Sequence, residues 1–236
     1  MVGEVHSVFQ SIHQGLPVEE VRSALIEGKL CRKSAYETRR KIWDALKHRY
    51  LSVLPEWSVQ GLVEASVYGR DSIEFRSLAY LYYVLRDQLV FQLLCKEVWP
   101  RWQQRLTLID RADVLAFLAE LQDDHPKILK WRESTRKKVA SNMLSSLRDF
   151  GLLRGIQKKH IQQPPVSSEA VFHLLCILMA EGRRGISILE APDWHVFLWS
   201  NVEVAMAMGD LSQKRWIRFE KAGRTVILEL IRMPTI

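Results

Sequence analysis

The sequence predicts a mainly α-helical protein that ends in a β-hairpin. Apolar residues recur at helical spacing and are followed by helix stops, as in residues 18–27, which run into Gly28. Near the C-terminus, residues 216–220 and 225–231 instead alternate apolar and polar side chains around a turn that contains glycine. We therefore expect a helical bundle followed by a small β element.

The helices follow one another with recognisable boundaries. Ser34, with Glu37 three residues later, has the pattern of a capping box, and the helix it opens should run to about Leu51. Ser134 is the expected start of another helix, which ends at Phe150 before a glycine. Further helices are predicted over residues 57–68, 71–99, 110–121, 171–180 and 202–211, and a short strand over residues 156–162.

The best linker candidate is Gln163-Pro164-Pro165, which lies between two long structured regions. It predicts a helical domain over residues 1–162 and a smaller α+β domain over residues 166–236. In the second domain, the helix before the hairpin is typical of a winged-helix unit. Helix and hairpin are also common together in unrelated small domains, so both interpretations stay open.

The composition favours a polyanionic partner. The 236 residues include 34 Lys or Arg and 27 Asp or Glu, which gives a net charge of +7. Such a balance attracts nucleic acid first, an anionic membrane surface second and an acidic protein third. Residues 78–98 are the most apolar long stretch, but charged side chains interrupt it and predict buried helices without a membrane span.

The three cysteines, Cys31, Cys95 and Cys176, are far apart and odd in number, which favours reduced thiols in a reducing compartment. The first 14 residues lack the basic start and apolar core of a signal peptide, so we expect a cytoplasmic protein. No pair of Cys or His has the spacing of zinc ligands, and we expect no metal or other cofactor.

Two helix starts share one basic string. Thr38-Arg39-Arg40-Lys41 and Thr135-Arg136-Lys137-Lys138 each precede an aliphatic residue and follow a shorter helical segment with a basic turn. In helix-turn-helix proteins the second helix enters the major groove by its N-terminal residues, where Arg, Lys and Thr contact phosphates or bases. The alternative for either string is an ordinary solvated helix face, but two matching strings favour nucleic acid.

Positive charge is concentrated around these strings. Residues 29–49 contain eight Lys or Arg against two acidic residues, and residues 127–159 contain ten against two. The rest of the chain is therefore net acidic. The residues Lys158 and Lys159, which follow the second basic helix, suggest a wing that touches phosphate, although an exposed loop is an equal alternative.

These observations give a set of predicted nucleic-acid contacts: Arg32, Lys33, Thr38, Arg39, Arg40, Lys47, Ser134, Thr135, Arg136, Lys137, Lys138, Lys158 and Lys159.

Catalysis has little support in the sequence. It contains no P-loop, dinucleotide fingerprint, H-E-x-x-H pair or G-x-S-x-G elbow. The cluster Asp123-Asp124-His125 precedes Pro126 and favours a solvated turn over a metal site. Most of the eight tryptophans have amphipathic spacing, which favours core positions over stacking on bases.

Several of these segments resemble the BrxA family of BREX phage-exclusion systems. The resemblance rests on Val18–Leu51, with its strings Val-Glu-Glu-Val, Glu-Gly-Lys-Leu and Ser-Ala-Tyr-Glu-Thr-Arg-Arg-Lys-Ile. It continues in Ser-Thr-Arg-Lys-Lys-Val and in Leu-Arg-Asp-Phe-Gly-Leu-Leu-Arg-Gly, and it covers most of the chain up to about His160.

The resemblance implies a bacterial cytoplasmic phage-defence component without enzymatic activity. It also implies DNA binding and a helical fold similar to the RNA-binding protein NusB. Our first hypothesis is a protein that binds double-stranded DNA mainly by phosphate contacts, with other phage-defence proteins as partners and no membrane association. The alternatives are an assembly protein for other defence components and an RNA-binding protein of the NusB kind.

Overall fold

The computed structural model describes residues 2–31, 33–52, 55–121 and 125–234, and this part of the chain is mainly α-helical, as the sequence predicts. The helices are α1 (Val2–His13), α2 (Val18–Glu27), α3 (Tyr36–Leu46), α4 (Trp57–Ala65), α5 (Ile73–Arg86), α6 (Gln88–Leu93), α7 (Trp99–Gln103), α8 (Arg111–Glu120), α9 (Pro126–Leu129), α10 (Glu133–Asp149), α11 (Ser168–Ala180), α12 (Ile186–Leu189) and α13 (Asn201–Gln213). Single π-helical turns extend α3 over Lys47–Leu51 and join α6 to α7 over Leu94–Val98, and 3₁₀ turns cover Ser66–Tyr68 and Pro192–Phe197.

The described residues also form five short strands: β1 (Leu108–Ile109), β2 (Leu153–Arg154), β3 (Lys159–Ile161), β4 (Ile217–Ala222) and β5 (Thr225–Leu230). The first three form an antiparallel sheet in the order β1-β3-β2, in which Leu108 pairs with His160 and Leu153 with Ile161. The last two form the predicted C-terminal hairpin, which turns through Gly223 at a φ of +58°. Positive φ is what a two-residue hairpin turn demands, so the glycine explains this turn.

The first of two compact units contains residues 1–86, 166–194 and 199–236. Its core is built around α5, whose buried aromatic run contacts α4 and α11. The buried Tyr50 hydroxyl donates to the carbonyl oxygen of Ala79 at 3.2 Å, and the Tyr50 ring meets Phe9 edge to face. A buried tyrosine that finds a hydrogen-bond acceptor packs without the cost of a lone hydroxyl.

The second unit contains residues 87–165 and 195–198. Its longest helix, α10, packs against α8 and strand β2, with Ala140, Leu144 and Leu147 buried. Helix α8 begins after Asp110, within the predicted range 110–121, and the structure shows a capping box between Asp110 and Asp113. This grouping places residues 1–86 and 166–194 in one compact unit. The division into domains 1–162 and 166–236 stays a prediction from the sequence.

Two predicted helix starts are wrong. Helix α3 begins after Ala35, not Ser34, and α10 begins after Arg132, not Ser134, and neither N-cap residue makes a side-chain hydrogen bond to its helix. In the first case the backbone of Ser34 is engaged elsewhere, because its carbonyl oxygen accepts from Arg39. Both helix starts therefore lack a side-chain cap.

The predicted helix over residues 71–99 breaks at Asp87. That residue has an extended backbone and caps α6 through a hydrogen bond from the Val90 N–H to its carboxylate. An Asp that binds the backbone locally competes with helix continuation, which explains why α5 and α6 separate at this residue. No helix among the described residues is long and apolar enough to cross a membrane.

Candidate nucleic-acid interface

Arg39, the first arginine of the first basic string, is half-buried and turned back onto its own unit. Its Nε donates to the carbonyl oxygen of Ile26, at the end of α2, and its Nη1 donates to those of Lys33 and Ser34, the first at 2.8 Å. The last carbonyls of a helix have no intrahelical donor, so the guanidinium satisfies groups that otherwise need water. The side chain thus fixes the connection between α2 and α3.

The rest of the predicted contacts around α3 are exposed. Arg40 pairs with Glu37 at 3.1 Å, one helical turn earlier, and both side chains are more than half exposed. The other members of this surface, which we call the α3 basic surface, are Lys33, Thr38, Lys41 and Lys47. The predicted contact Arg32 lies outside the described residues.

The connection before α3 runs from residue 28 to residue 35. A helix-turn-helix motif joins its helices by a turn of about three to four residues. Helices α2 and α3 therefore lack this tight turn.

The start of α10 has the same organisation. Ser134, Thr135, Lys137 and Lys138 are exposed, and Lys137 pairs with Glu133 at 2.5 Å across one turn. The hydrogen bond and charge of Lys137 lower the pKa of Glu133 below its ordinary value. The half-buried Arg136 donates to the carbonyl oxygen of Ile128 at 3.4 Å, so it turns inward as Arg39 does.

The turn between β2 and β3 follows α10 directly in the chain. Gly155 has a φ of +98°, and a Cβ at that position would overlap the carbonyl oxygen of Lys158. Lys158 is exposed at the turn, while Lys159 Nζ donates to the carbonyl oxygen of Ile156 at 2.8 Å. The exposed turn is thus closed tightly by a glycine and by a lysine that binds its own backbone.

The structure brings the α10 start and the β2–β3 turn into one compact unit, and α3 belongs to the other unit. Sequence reasoning left several exposed basic residues out of the predicted contacts: Lys41, Lys130, Arg132 and Arg154. Their positions next to the two basic strings in the sequence could have identified them as candidate contacts. The inward turn of Arg39 and Arg136 had no sequence signal, because it depends on carbonyls that the fold places nearby.

Other candidate chemistry has weaker geometric support. The described residues contain no group of three or more His, Cys, Asp or Glu that could hold a metal ion. Of the cluster at 123–125, Asp123 and Asp124 lie outside the described residues, and His125 Nε2 is 3.1 Å from the Gln92 side-chain oxygen. The cysteines are free thiols, and burial raises the pKa of Cys176 to about 12.

The fold and these surfaces define a mainly helical protein with two exposed basic helix starts and a C-terminal hairpin. The model of the BrxA family matches residues 1–176, which is most of the chain. The chain belongs to the BrxA family and is therefore a phage-defence protein associated with BREX systems, which indicates partners among the other components of those systems. No curated protein is significantly similar to it in sequence.

Proposed function

We propose that this protein binds duplex DNA, mainly through phosphate contacts, and that it serves phage defence by binding and not by catalysis. The start of α10 and the β2–β3 turn form the principal surface in this proposal, and the α3 basic surface provides a second one. The single observation that supports it best is the order of helices and strands in the second unit.

In the second unit, strand β1 is followed by helices α8, α9 and α10 and then by the β2–β3 hairpin, and the sheet order is β1-β3-β2. A winged helix-turn-helix unit has this connectivity, with its last helix as the recognition helix and the hairpin turn as the wing. For the C-terminal hairpin the sequence left both a winged-helix unit and an unrelated helix–hairpin unit open, whereas this arrangement favours a winged helix over residues 108–161. In the proposal, α10 enters the major groove by its first turn.

The first turn of α10 suits a phosphate. Its N-cap, Arg132, makes no side-chain hydrogen bond to the helix, so the N–H groups of Glu133 and Ser134 are not satisfied by a cap. Uncapped N–H groups and the helix dipole attract anions, and Lys137 and Lys138 add two positive charges within that turn and the next. Thr135 and Ser134 supply hydroxyl donors that also bind phosphate oxygens.

The α3 basic surface repeats these features in the first unit. Its N-cap is Ala35, which also leaves the first turn without a side-chain cap, and Thr38, Arg40 and Lys41 are exposed there. In the proposal, Arg39 and Arg136 stabilise the backbone next to the two surfaces, because both side chains donate to backbone carbonyl oxygens. The exposed neighbours make the phosphate contacts.

The proposal is tested by measuring the affinity for a duplex of mixed sequence across a salt series. The logarithm of the association constant should fall linearly with the logarithm of the salt concentration, by about 0.9 for each phosphate contact. Salt-independent binding, or none, contradicts the proposal. Single-stranded RNA that displaces the duplex at equal phosphate concentration favours the RNA-binding alternative.

A further inference from the structure

A cavity of about 670 Å³ lies within the first unit, away from both basic helix starts in the chain. Small-molecule sites in proteins have volumes of about 300–1,000 Å³, so its size is that of a ligand pocket. Its walls come from α4, the N-terminal end of α5, the start of α11 and the segment around the C-terminal hairpin. The aromatic residues among them are Trp57, Tyr68 and Trp216.

A buried histidine lines this cavity. The His173 residue is only 4% exposed, and its Nδ1 is 2.7 Å from the hydroxyl of Tyr82. Among the described residues, its Nε2 has no hydrogen-bond partner. Burial lowers the pKa of this imidazole to about 3, so the ring is neutral near pH 7. If the Tyr82 hydroxyl donates to Nδ1, Nε2 carries the ring proton and is a donor; if Nδ1 donates to the hydroxyl, Nε2 is an acceptor.

The packing of His173 is specific. Its ring lies against Gly61 of α4, where a Cβ would overlap the ring, and it meets Trp57 edge to face at 5.0 Å. A polar atom without a protein partner in a cavity wall is satisfied by a ligand or by water. The packing of the ring against Gly61 and the unpartnered Nε2 together make this wall of the cavity a candidate site.

Charge is segregated across the cavity. On the α4–α5 side lie the half-buried carboxylates Glu64 and Glu74, and Glu74 has no side-chain partner among the described residues. On the other side, Lys214 Nζ donates to the Ser168 hydroxyl at the start of α11. Arg232 on that side pairs with Glu169 at 2.7 Å and lies over Trp216. Glu169, the third carboxylate that lines the cavity, is thus already neutralised by Arg232.

We propose that this cavity binds a mononucleotide whose base has an exocyclic amino group. The base stacks on the aromatic walls, as bases do on exposed aromatic side chains, and its amino group donates to Glu74 or Glu64. The phosphate binds Lys214 and the N–H groups of Ser168 and Glu169 at the start of α11, where the Ser167 cap already takes the Ala170 N–H. The dipole of this helix of 13 residues favours an anion there. His173 Nε2 forms a hydrogen bond with a polar group of the ligand between these two ends.

Isothermal titration calorimetry of the full chain with dAMP, dTMP, deoxyadenosine and inorganic phosphate tests the proposal. We expect dAMP to bind, and to bind at least about tenfold more tightly than dTMP, which lacks the amino group, or deoxyadenosine, which lacks the phosphate. No binding of dAMP at millimolar concentration overturns the proposal. Inorganic phosphate that binds as tightly as dAMP also overturns it.

Two variants test the orientation of the ligand. Lys214→Gln should weaken the binding of dAMP by about tenfold and leave the affinity for deoxyadenosine unchanged. Glu74→Gln should reduce the preference for dAMP over dTMP. Lys221→Gln, at the exposed tip of the hairpin, removes the same charge as Lys214→Gln and should change neither affinity. Equal losses in Lys214→Gln and Lys221→Gln contradict the site.

The same proteins separate this inference from duplex binding. Lys214→Gln should retain wild-type affinity for duplex DNA, because Lys214 lies on neither basic surface. Failure of dAMP to bind therefore rejects the cavity site and leaves the proposed duplex binding unaffected.

Discussion

The guanidinium of Arg39 donates to the carbonyl oxygen of Ile26, which lies 13 residues earlier at the end of α2. The same side chain reaches the carbonyl of Lys33, so one basic residue ties the end of one helix to the start of the next. In the second unit Arg136, at the equivalent position of the matching string, reaches back to Ile128. The first arginine of each string is therefore a structural residue, and its exposed neighbours are the candidates for phosphate contacts.

Replacing Arg39 should destabilise the protein. Arg39→Ala leaves three carbonyl oxygens without their donor, and hydrogen bonds to charged groups contribute about 1.5–3 kcal/mol each, so a clear loss in the free energy of unfolding is expected. Arg40→Ala, which removes only an exposed ion pair, should cost less than about 1 kcal/mol. Urea titration followed by circular dichroism measures the free energy of unfolding of both variants. Equal values would contradict a structural role of the Arg39 hydrogen bonds.

Charge reversal at the start of α10 should weaken duplex binding. In Lys137→Glu/Lys138→Glu the slope of log affinity against log salt should decrease by about 0.9 for each phosphate that the variant no longer neutralises. The matched control is Arg22→Glu/Lys221→Glu, which changes the net charge equally at exposed positions outside both surfaces. Fluorescence anisotropy with a labelled duplex gives both slopes, and equal decreases would indicate only a general charge effect.

Removal of the acidic partner at the same helix start should have the opposite effect. Glu133→Gln releases Lys137 from its ion pair and removes a carboxylate that repels phosphate, so affinity for duplex DNA should rise. Glu181→Gln, which changes the same charge at another exposed ion pair, is the control and should leave affinity near the wild-type value. Unchanged or weaker binding by Glu133→Gln would place the phosphate away from this turn.

The proposed wing depends on one glycine. Gly155→Ala forces a side chain into a backbone with positive φ and into contact with the Lys158 carbonyl, so the β2–β3 turn should distort. We expect lower stability together with weaker duplex binding. Lys158→Gln removes only the exposed charge and should weaken binding without lowering the melting temperature. If Lys158→Gln binds duplex DNA as the wild type does, the turn makes no phosphate contact.

Stability should depend on the protonation of His173. Burial lowers its pKa to about 3 from 6.5, so below pH 6.5 the unfolded chain takes up a proton that the folded chain excludes. This contribution to the free energy of unfolding is complete above pH 6.5 and is lost as the pH falls toward 3, by up to about 1.4 kcal/mol per pH unit. His173→Gln should flatten this decline between pH 7 and pH 5, whereas the exposed His160→Gln should not. If the free energy of unfolding falls equally with pH in the wild type and in His173→Gln, the prediction is wrong.

Local sequence signals predicted most helices and the C-terminal hairpin. The stop at Gly28 and the capping residues around Asp110 act within one helical turn, so they can be identified without the fold. Strand β1 could not be identified in this way, because two residues become a strand only by pairing with residues 159–160 about 50 positions later. Ser34 and Ser134 failed as caps because other residues of the fold determine where those helices begin.

The basic strings were identified from the sequence. Which of their residues turn inward and which stay exposed was not. Helical periodicity indicates that consecutive residues cannot all face one way, yet it does not indicate which of Arg39 and Arg40 turns inward. The choice depends on the carbonyl oxygens at the end of α2. The cavity around His173 likewise combines helices from distant parts of the chain, so its residues have no shared sequence pattern.

The most direct test of DNA binding compares the salt dependence of duplex affinity in three proteins: the wild type, Lys137→Glu/Lys138→Glu and Arg40→Glu/Lys41→Glu. We predict a linear fall of log affinity with log salt in the wild type, a shallower slope in each variant, and the larger change for the α10 variant. Wild-type slopes in both variants would contradict the account, because the duplex would then bind neither basic surface.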